Sequence, residues 1–493
     1  MTTLAAPRAA VTVPEPGPDP RLLGAAALVL AAVVGAALAL LGPRPVLLAG
    51  VALAPLPFIL RDFRLGVVLL TLALPLTPML PSVRGLNLLN VLTLATLAAF
   101  TLRAAFGRQA VVGLPAPLWW GLVLPATVGL AVAWPHIPEG VRNYPTLAAA
   151  AAIYDPPAYA MARWAKPLFH YLAYAFLLAN AVRASAQPQR FVWLLAAAAV
   201  LPSLAVLYTV ARYPGPLGEL IGNREFMAPR GMHANEFGLL LALACGPLLF
   251  VATAATRRAW RWGLAGVLAL VFGALVLTFS RGALLACLVM LAGFLWHHRR
   301  LKTMLATGAL ALLALVAAPD ALQERFGAGL RAGALSDTSR AEHDALTAGR
   351  VHGWTLLAPE VLESPWIGRG LGSTQWSAAV AAGLYRANHP HNIYLEVLMD
   401  LGLLGLAAMA WAWWHVLRRL RQLAAEPAFT PELRAFFLGA RWAALGALAM
   451  AATTAYYMPN AAQTFLWMGF GMTFAFWKGV PAGATAAARG VSP

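Results

Sequence analysis

Apolar runs of roughly 16–22 residues recur from Leu22 to Val480, each long enough to cross about 30 Å of hydrocarbon at 1.5 Å per residue. They predict helices over 22–42, 45–60, 65–81, 87–105, 112–134, 167–183, 191–211, 234–255, 262–279, 282–297, 303–318, 393–417, 435–457 and 463–478. The second and third carry Pro55, Pro57, Pro75 and Pro78. Proline is tolerated in a membrane helix where neighbours re-satisfy the backbone, so the reading is an all-α polytopic membrane protein of about 12–14 spans. Residues 21–480 form one transmembrane domain between two tails, 1–20 and 481–493. The first tail is Pro-rich and has no apolar core, so it makes no signal peptide.

Composition agrees with the pattern. Charged residues make up 11% of the 493, against about 25% in soluble chains, and the mean hydropathy is +0.70. That charge density cannot cover the surface of a water-soluble protein of this size. The formal charge of +17 falls between apolar runs, as orientation signals do, rather than in a basic patch on a soluble fold. Nucleic acid is therefore excluded as a partner, while membrane lipids are implied. Cys245 and Cys287 both lie inside apolar runs, so a disulfide framework is not expected.

The basic residues also orient the chain. With the N-terminus inside, Arg61/Arg64, Arg103/Arg108, Arg183/Arg190, Arg257/Arg258/Arg261, Arg299/Arg300/Lys302 and Arg418/Arg419/Arg421 face the cytoplasm. The opposite short loops hold Arg44, Arg84 and Arg281, so both termini are expected to be cytoplasmic. Three longer connections, 135–166, 212–233 and 319–392, then lie outside. In the last, a helix is expected from about Ala341, with Arg350, Trp354 and Leu357 on one face, ended by Pro365 and the Gly368–Gly372 cluster. That glycine cluster follows no strand and opens no βαβ unit, so it reads as a turn rather than a nucleotide loop. Trp119, Trp120, Trp134 and Trp414 near span ends read as an interfacial belt.

Two features on the outer side carry chemistry. Arg230 precedes a span in Pro229-Arg230-Gly231-Met232-His233-Ala234-Asn235, and Arg281 joins two spans in Phe279-Ser280-Arg281-Gly282-Ala283. Arginine at membrane depth costs about 2.5–3.5 kcal/mol. Each is either a snorkelling boundary residue or part of an anion site, where a guanidinium grips phosphate with two parallel hydrogen bonds. The second feature is His389-Pro390-His391-Asn392-Ile393-Tyr394-Leu395-Glu396, where the large loop re-enters the membrane. A histidine there serves either as a general base near neutral pH or as a helix-start residue held by the backbone. A metal pair is disfavoured, because proline separates the two histidines and two ligands rarely suffice. Asp400 and Arg441 are expected to form an ion pair between the twelfth and thirteenth spans.

From about Phe226 to Leu404 the sequence resembles the O-antigen ligase and polymerase superfamily. The resemblance rests on an ordered set of pieces. These are Arg230, Gly231, Asn235 and Phe237; Ser280 to Ala283; Gly349, Arg350 and Trp354; Pro365 with Gly368, Gly370 and Gly372; and His391, Asn392, Tyr394 and Leu395 with Gly402 and Gly405. Each piece alone is unspecific; the ordered set in a multi-spanning chain is not. The resemblance implies a GT-C-like glycosyltransferase that needs no metal or other cofactor. It would move a glycan from undecaprenyl diphosphate to an acceptor hydroxyl at the periplasmic face of the bacterial inner membrane. Carried over by position, Arg230, Arg281 and Arg350 hold the diphosphate and His391 activates the acceptor. Asn235, His389, Asn392 and Tyr394 support them. The acceptor is lipid A core for a ligase, another lipid-linked repeat for a polymerase, and a protein for an oligosaccharyltransferase. The reading of another class, a small-anion transporter, needs ionisable groups mid-span, and the sequence offers few.

Overall fold

The computed structural model describes residues 54–80, 82–83, 86–107, 109–144, 155–216, 219–220, 224–298, 350–454 and 457–480. The expected spans 22–42 and 303–318, most of 45–60, both tails and loop residues 319–349 lie outside the described residues. Within them the chain is helical: α1 (Leu56–Arg61), α2 (Phe63–Ala73, continued by a 3-10 turn over Leu74–Met79), α3 (Leu88–Ala105), α4 (the run Ala116–Asn143), α5 (Lys166–Arg183), α6 (Arg190–Ala211), α7 (Ala234–Ala254), α8 (Arg258–Val276), α9 (Arg281–His298), α10 (Arg350–Glu363), α11 (Ile393–Ala424), α12 (Pro431–Ala451) and α13 (Thr464–Ala475). Among the described residues the one strand pair is a two-residue antiparallel ladder, Ser82 with Asn87 and Val83 with Leu86. Eight described helices are long and apolar enough to cross a membrane: α3, α4, α6, α7, α8, α9, α11 and α12. The chain is an all-α, multi-pass membrane protein.

Helix α7 is the axis. It packs against α6, α8, α9 and α12, and 83% of its span is buried, against 22–50% for the other seven. Its sequence explains this, being apolar on every face and carrying small residues where partners approach. Gly246 of α7 and Gly439 of α12 meet so closely that a Cβ on either would lie within 2.8 Å of the other's carbonyl oxygen. Helix α5 lies against α2, α3 and α13, and α11 packs on α12 and on α4.

The bundle has two unlike ends. Arg183 at the foot of α5 donates to the Gly479 carbonyl at 2.7 Å, and Arg419 near the foot of α11 donates to the Phe476 carbonyl. These arginines, expected on the cytoplasmic side, thus gather with the end of α13. The N-termini of α7, α9 and α11 and the C-terminus of α12 share the opposite end.

Helix α11 departs from the sequence reading, which takes 393–417 as continuous. It breaks at Gly402, whose φ of 65° and ψ of −167° lie outside the helical region. In an unbroken helix the Leu403 and Leu404 amides would donate to the carbonyls of Met399 and Asp400. Instead they donate to Pro365 and Trp366 at 2.8 and 3.1 Å, and the two vacated carbonyls accept the Arg369 and Gly370 amides at 2.7 and 3.0 Å. The loop ahead of α11 completes the helix. The expected Asp400–Arg441 pair is not formed. The Asp400 carboxylate accepts hydrogen bonds from the Gly372 and Ser373 amides, the Ser373 hydroxyl and the Tyr457 hydroxyl, while the Arg441 guanidinium lies over the Trp442 ring at 5.9 Å. Short-range bonds to a loop inserted against Asp400 satisfy that carboxylate before a distant arginine can.

Gly402→Ala is expected to destabilise the protein by more than about 2 kcal/mol, combining left-handed strain with a clash. A Cβ there would fall 2.3 Å from the Trp366 carbonyl carbon. Thermal unfolding in detergent reads this; an unchanged midpoint would refute the exchange of hydrogen bonds described for the break.

Candidate functional site

The site end is built from helix starts, each held by its own residues. Asn392 caps α11, its Oδ1 accepting the Tyr394 and Leu395 amides at 3.0 and 3.3 Å. Tyr394 then pins the first turn to α12, donating its hydroxyl to the Leu448 carbonyl at 2.6 Å. Helix α7 starts with an unusual capping box. The His233 Nδ1 accepts the Asn235 amide at 3.1 Å, while Glu236 reaches back to the His233 amide at 2.8 Å. Asn235, Asn392 and Tyr394, expected as supporting residues, therefore take part in helix starts. The short arms of Asn and His supply the acceptors that these starts need.

The preceding residue, His391, adopts φ 53°, one of two non-glycine residues in that region among those described. Its amide donates to His389 Nδ1 at 3.2 Å, and the two rings meet edge to face with centroids 4.0 Å apart. An Nδ1 that accepts carries no proton, so His389 is neutral with its hydrogen on Nε2. The loop clamps this hairpin from outside. Trp354 Nε1 of α10 donates to the Pro390 carbonyl, and the Tyr385 hydroxyl donates to the His389 carbonyl, both at 2.8 Å. Burial pushes the Tyr385 phenol up to about 12, so it stays a donor.

Electrostatics show what converges here. Burial first, then the charges of His391, Arg163, Arg350 and His233, holds His389 well below the ordinary imidazole value. Those four groups come from four separate parts of the chain. The sequence reading brings Arg350, His389 and His391 together, and the structure does so too. Arg163 and His233 it misses, because neither belongs to a recognisable pattern. The local signal is the spacing of His233 and Glu236, a capping box with histidine in place of the usual serine or threonine.

Arg230 and Arg281 stand at this end of the bundle, but neither hydrogen-bonds to His391. Arg230 Nε donates to the Thr209 hydroxyl of α6 at 3.0 Å, and its guanidinium lies 5.2 Å from the Tyr208 ring centroid. Its turn is fixed by Gly231, φ 78°, where a Cβ would lie 2.4 Å from the Pro78 carbonyl oxygen. Arg281 opens α9. Ser280 just before it packs on Gly238, one turn into α7, and Gly282 just after it abuts Thr453 beyond α12. Phe279 and Phe226 contact each other with ring centroids 6.4 Å apart, linking the turns that carry the two arginines. Among the described residues no group of three His, Cys, Asp or Glu side chains gathers in a way that could hold a metal.

Residues 265–410 match the model of the family described as O-antigen ligase. The matched segment takes in Arg281, Arg350 and the run from His389 to Tyr394, and leaves Arg230 and Asn235 outside it. A comparison with curated proteins finds no match.

Because the fold keeps His389 neutral, the unfolded chain binds the extra proton as pH falls below the ordinary value of 6.5. Stability therefore declines on that side. His389→Gln removes this component, so its melting temperature is expected to fall less than the wild type's between about pH 7 and pH 5. Equal slopes would show that the residue is not held neutral.

Proposed function

We propose that the chain, whose residues 265–410 match the O-antigen ligase family, is a glycosyltransferase acting on a lipid-linked glycan. The donor is a glycan on undecaprenyl diphosphate and the acceptor is a hydroxyl presented at the periplasmic face of the inner membrane. The observation that carries the reading is the pair His389 and His391 at the mouth of α11, with Arg350, Arg163 and His233 converging on it. The sidedness rests on the basic helix feet at the other end, which the positive-inside rule assigns to the cytoplasm.

In this mechanism the acceptor oxygen attacks the anomeric carbon, the bond from that carbon to the diphosphate oxygen breaks, and the hydroxyl proton passes to the His391 imidazole. The left-handed backbone at His391 turns the residue out of the helix it precedes, and the His389 ring backs it. Arg350, Arg281 and Arg230 stabilise the charge that develops on the diphosphate, so the transfer needs no metal. Arg230 is anchored through Nε on Thr209. The ligase acceptor, lipid A core, is the preferred assignment, and a second lipid-linked repeat is the polymerase alternative. The transporter reading is not carried forward: Asp400, the carboxylate it needs mid-span, is engaged by Gly372, Ser373 and Tyr457.

His391→Ala is expected to abolish transfer while donor binding persists. Arg281→Ala, Arg350→Ala and Arg230→Ala are expected to weaken donor binding about tenfold or more each, with lysine rescuing only in part because it lacks the planar fork. Purified protein, lipid-linked glycan and each acceptor in turn provide the assay. Wild-type transfer by all four alanine variants would end the site assignment, and chain-length ladders formed without lipid A core would move the activity to polymerase.

A further inference from the structure

The opposite end of the bundle holds a cavity of about 310 Å³, at the lower end of the range typical of ligand pockets. The feet of α7, α9 and α11 and the first turns of α12 enclose it. Its floor is apolar, with Phe250 and Leu438 among its lining, and Thr253 contributes a hydroxyl. Its polar wall is basic: His297, His298 and Arg434 line it, and no aspartate or glutamate is among its described lining residues. The nearby acid on the same helix, Glu432, accepts the Thr256 amide and hydroxyl.

Among the described residues Arg434 lacks the carbonyl partner that other arginines at this end have: Arg183 on Gly479, Arg261 on Ala255 and Arg419 on Phe476. The Arg434 Nε is buried and, like those of Arg103, Arg419 and Arg441, has no hydrogen-bond partner among the described residues, and its guanidinium makes no ion pair with any described residue. It also sits at the start of α12, near the positive end of the helix dipole, where a cation is disfavoured and an anion favoured. Leaving a buried charged donor unpaired is costly, and an anion in the cavity would relieve both penalties at once. The two histidines add donors, packed against Phe250 with ring centroids 6.3 and 6.4 Å away.

We propose that this cavity is a binding site for the phosphate of an anionic membrane lipid, held by Arg434, His297 and His298. A lipid rather than a free anion fits the surroundings. The cavity lies at the foot of membrane-crossing helices, and most of its lining is apolar. It shares that end with the basic clusters around Arg257 and Arg418 that face an anionic leaflet under the positive-inside rule. A zwitterionic lipid carries a cationic group that this wall repels.

The test is native mass spectrometry of the full chain released from nanodiscs containing phosphatidylglycerol or phosphatidylcholine, with inorganic phosphate as a third arm. The wild type is expected to retain phosphatidylglycerol in preference to phosphatidylcholine and to keep it in millimolar phosphate. Arg434→Gln is expected to retain it about tenfold less well. The double variant His297→Gln/His298→Gln should also lose retention, and it supplies the reading if Arg434→Gln fails to fold. Equal retention of the two lipids, or variants indistinguishable from wild type, would overturn the site. Displacement of the lipid by inorganic phosphate would overturn the lipid assignment.

Discussion

The exchange of backbone hydrogen bonds at Gly402 is the constraint on which the rest of the site depends. A membrane helix cannot leave amides and carbonyls unpaired, since each unsatisfied group costs about 1–3 kcal/mol or more away from water. Here four groups freed by the break are matched, one for one, by Pro365, Trp366, Arg369 and Gly370 of the loop. The Asp400 carboxylate reinforces the joint by accepting from Gly372 and Ser373. The loop is further tied to α4, where the Leu371 amide donates to the Gly129 carbonyl at 3.0 Å. A segment outside the membrane thereby becomes continuous with two helices inside it.

That joint fixes where the histidine hairpin can stand. Residues 365–376 and the first turns of α11 move as one body, and α10 follows through Leu357, packed with Met399 and Ala379. Trp354 and Tyr385 then hold two adjacent carbonyls of the hairpin, those of Pro390 and His389. Main-chain amides and carbonyls carry the contacts that join the loop, the hairpin and α11. The groups that act on His389 through their charge, His391, Arg163, Arg350 and His233, come from four parts of the chain. Arg369 is paired with both Glu360 and Glu363 and serves the loop.

The two ends of the bundle use the same residue type in opposite ways. At the feet of α5 and α11, arginines neutralise the carbonyls of a neighbouring helix end, a role set by the negative pole of the dipole. At the heads of α7 and α9, arginines sit where helix N-termini already favour anions. Arg230, just ahead of α7, is held there by the Thr209 hydroxyl and the Tyr208 ring. Arg434 repeats the placement at a helix start at the feet of the bundle, where α12 is the helix that starts.

Much of this was legible in the chain. Apolar runs located the described spans, because a span's minimum length is dictated by hydrocarbon thickness, but not all their ends: α4 runs on to Asn143 and α11 to Ala424, past the expected 134 and 417. Of the orienting basic residues, Arg183 and Arg419 meet at one end, beside the end of α13. The glycine cluster read correctly as a turn, and the resemblance grouped Arg350 and His391 with Arg230 and Arg281, of which Arg350 acts on the histidine pair. Three things were not legible there. The break at Gly402 requires residues 365–370 of the loop to supply the missing bonds, and no local pattern encodes a partner so distant along the chain. Arg163, in the turn leading into α5, and His233, at the start of α7, reach the site only in the folded chain. Arg441 lost Asp400 because a carboxylate pairs with whatever donors folding brings nearest, and in this chain those were the amides of its own external loop.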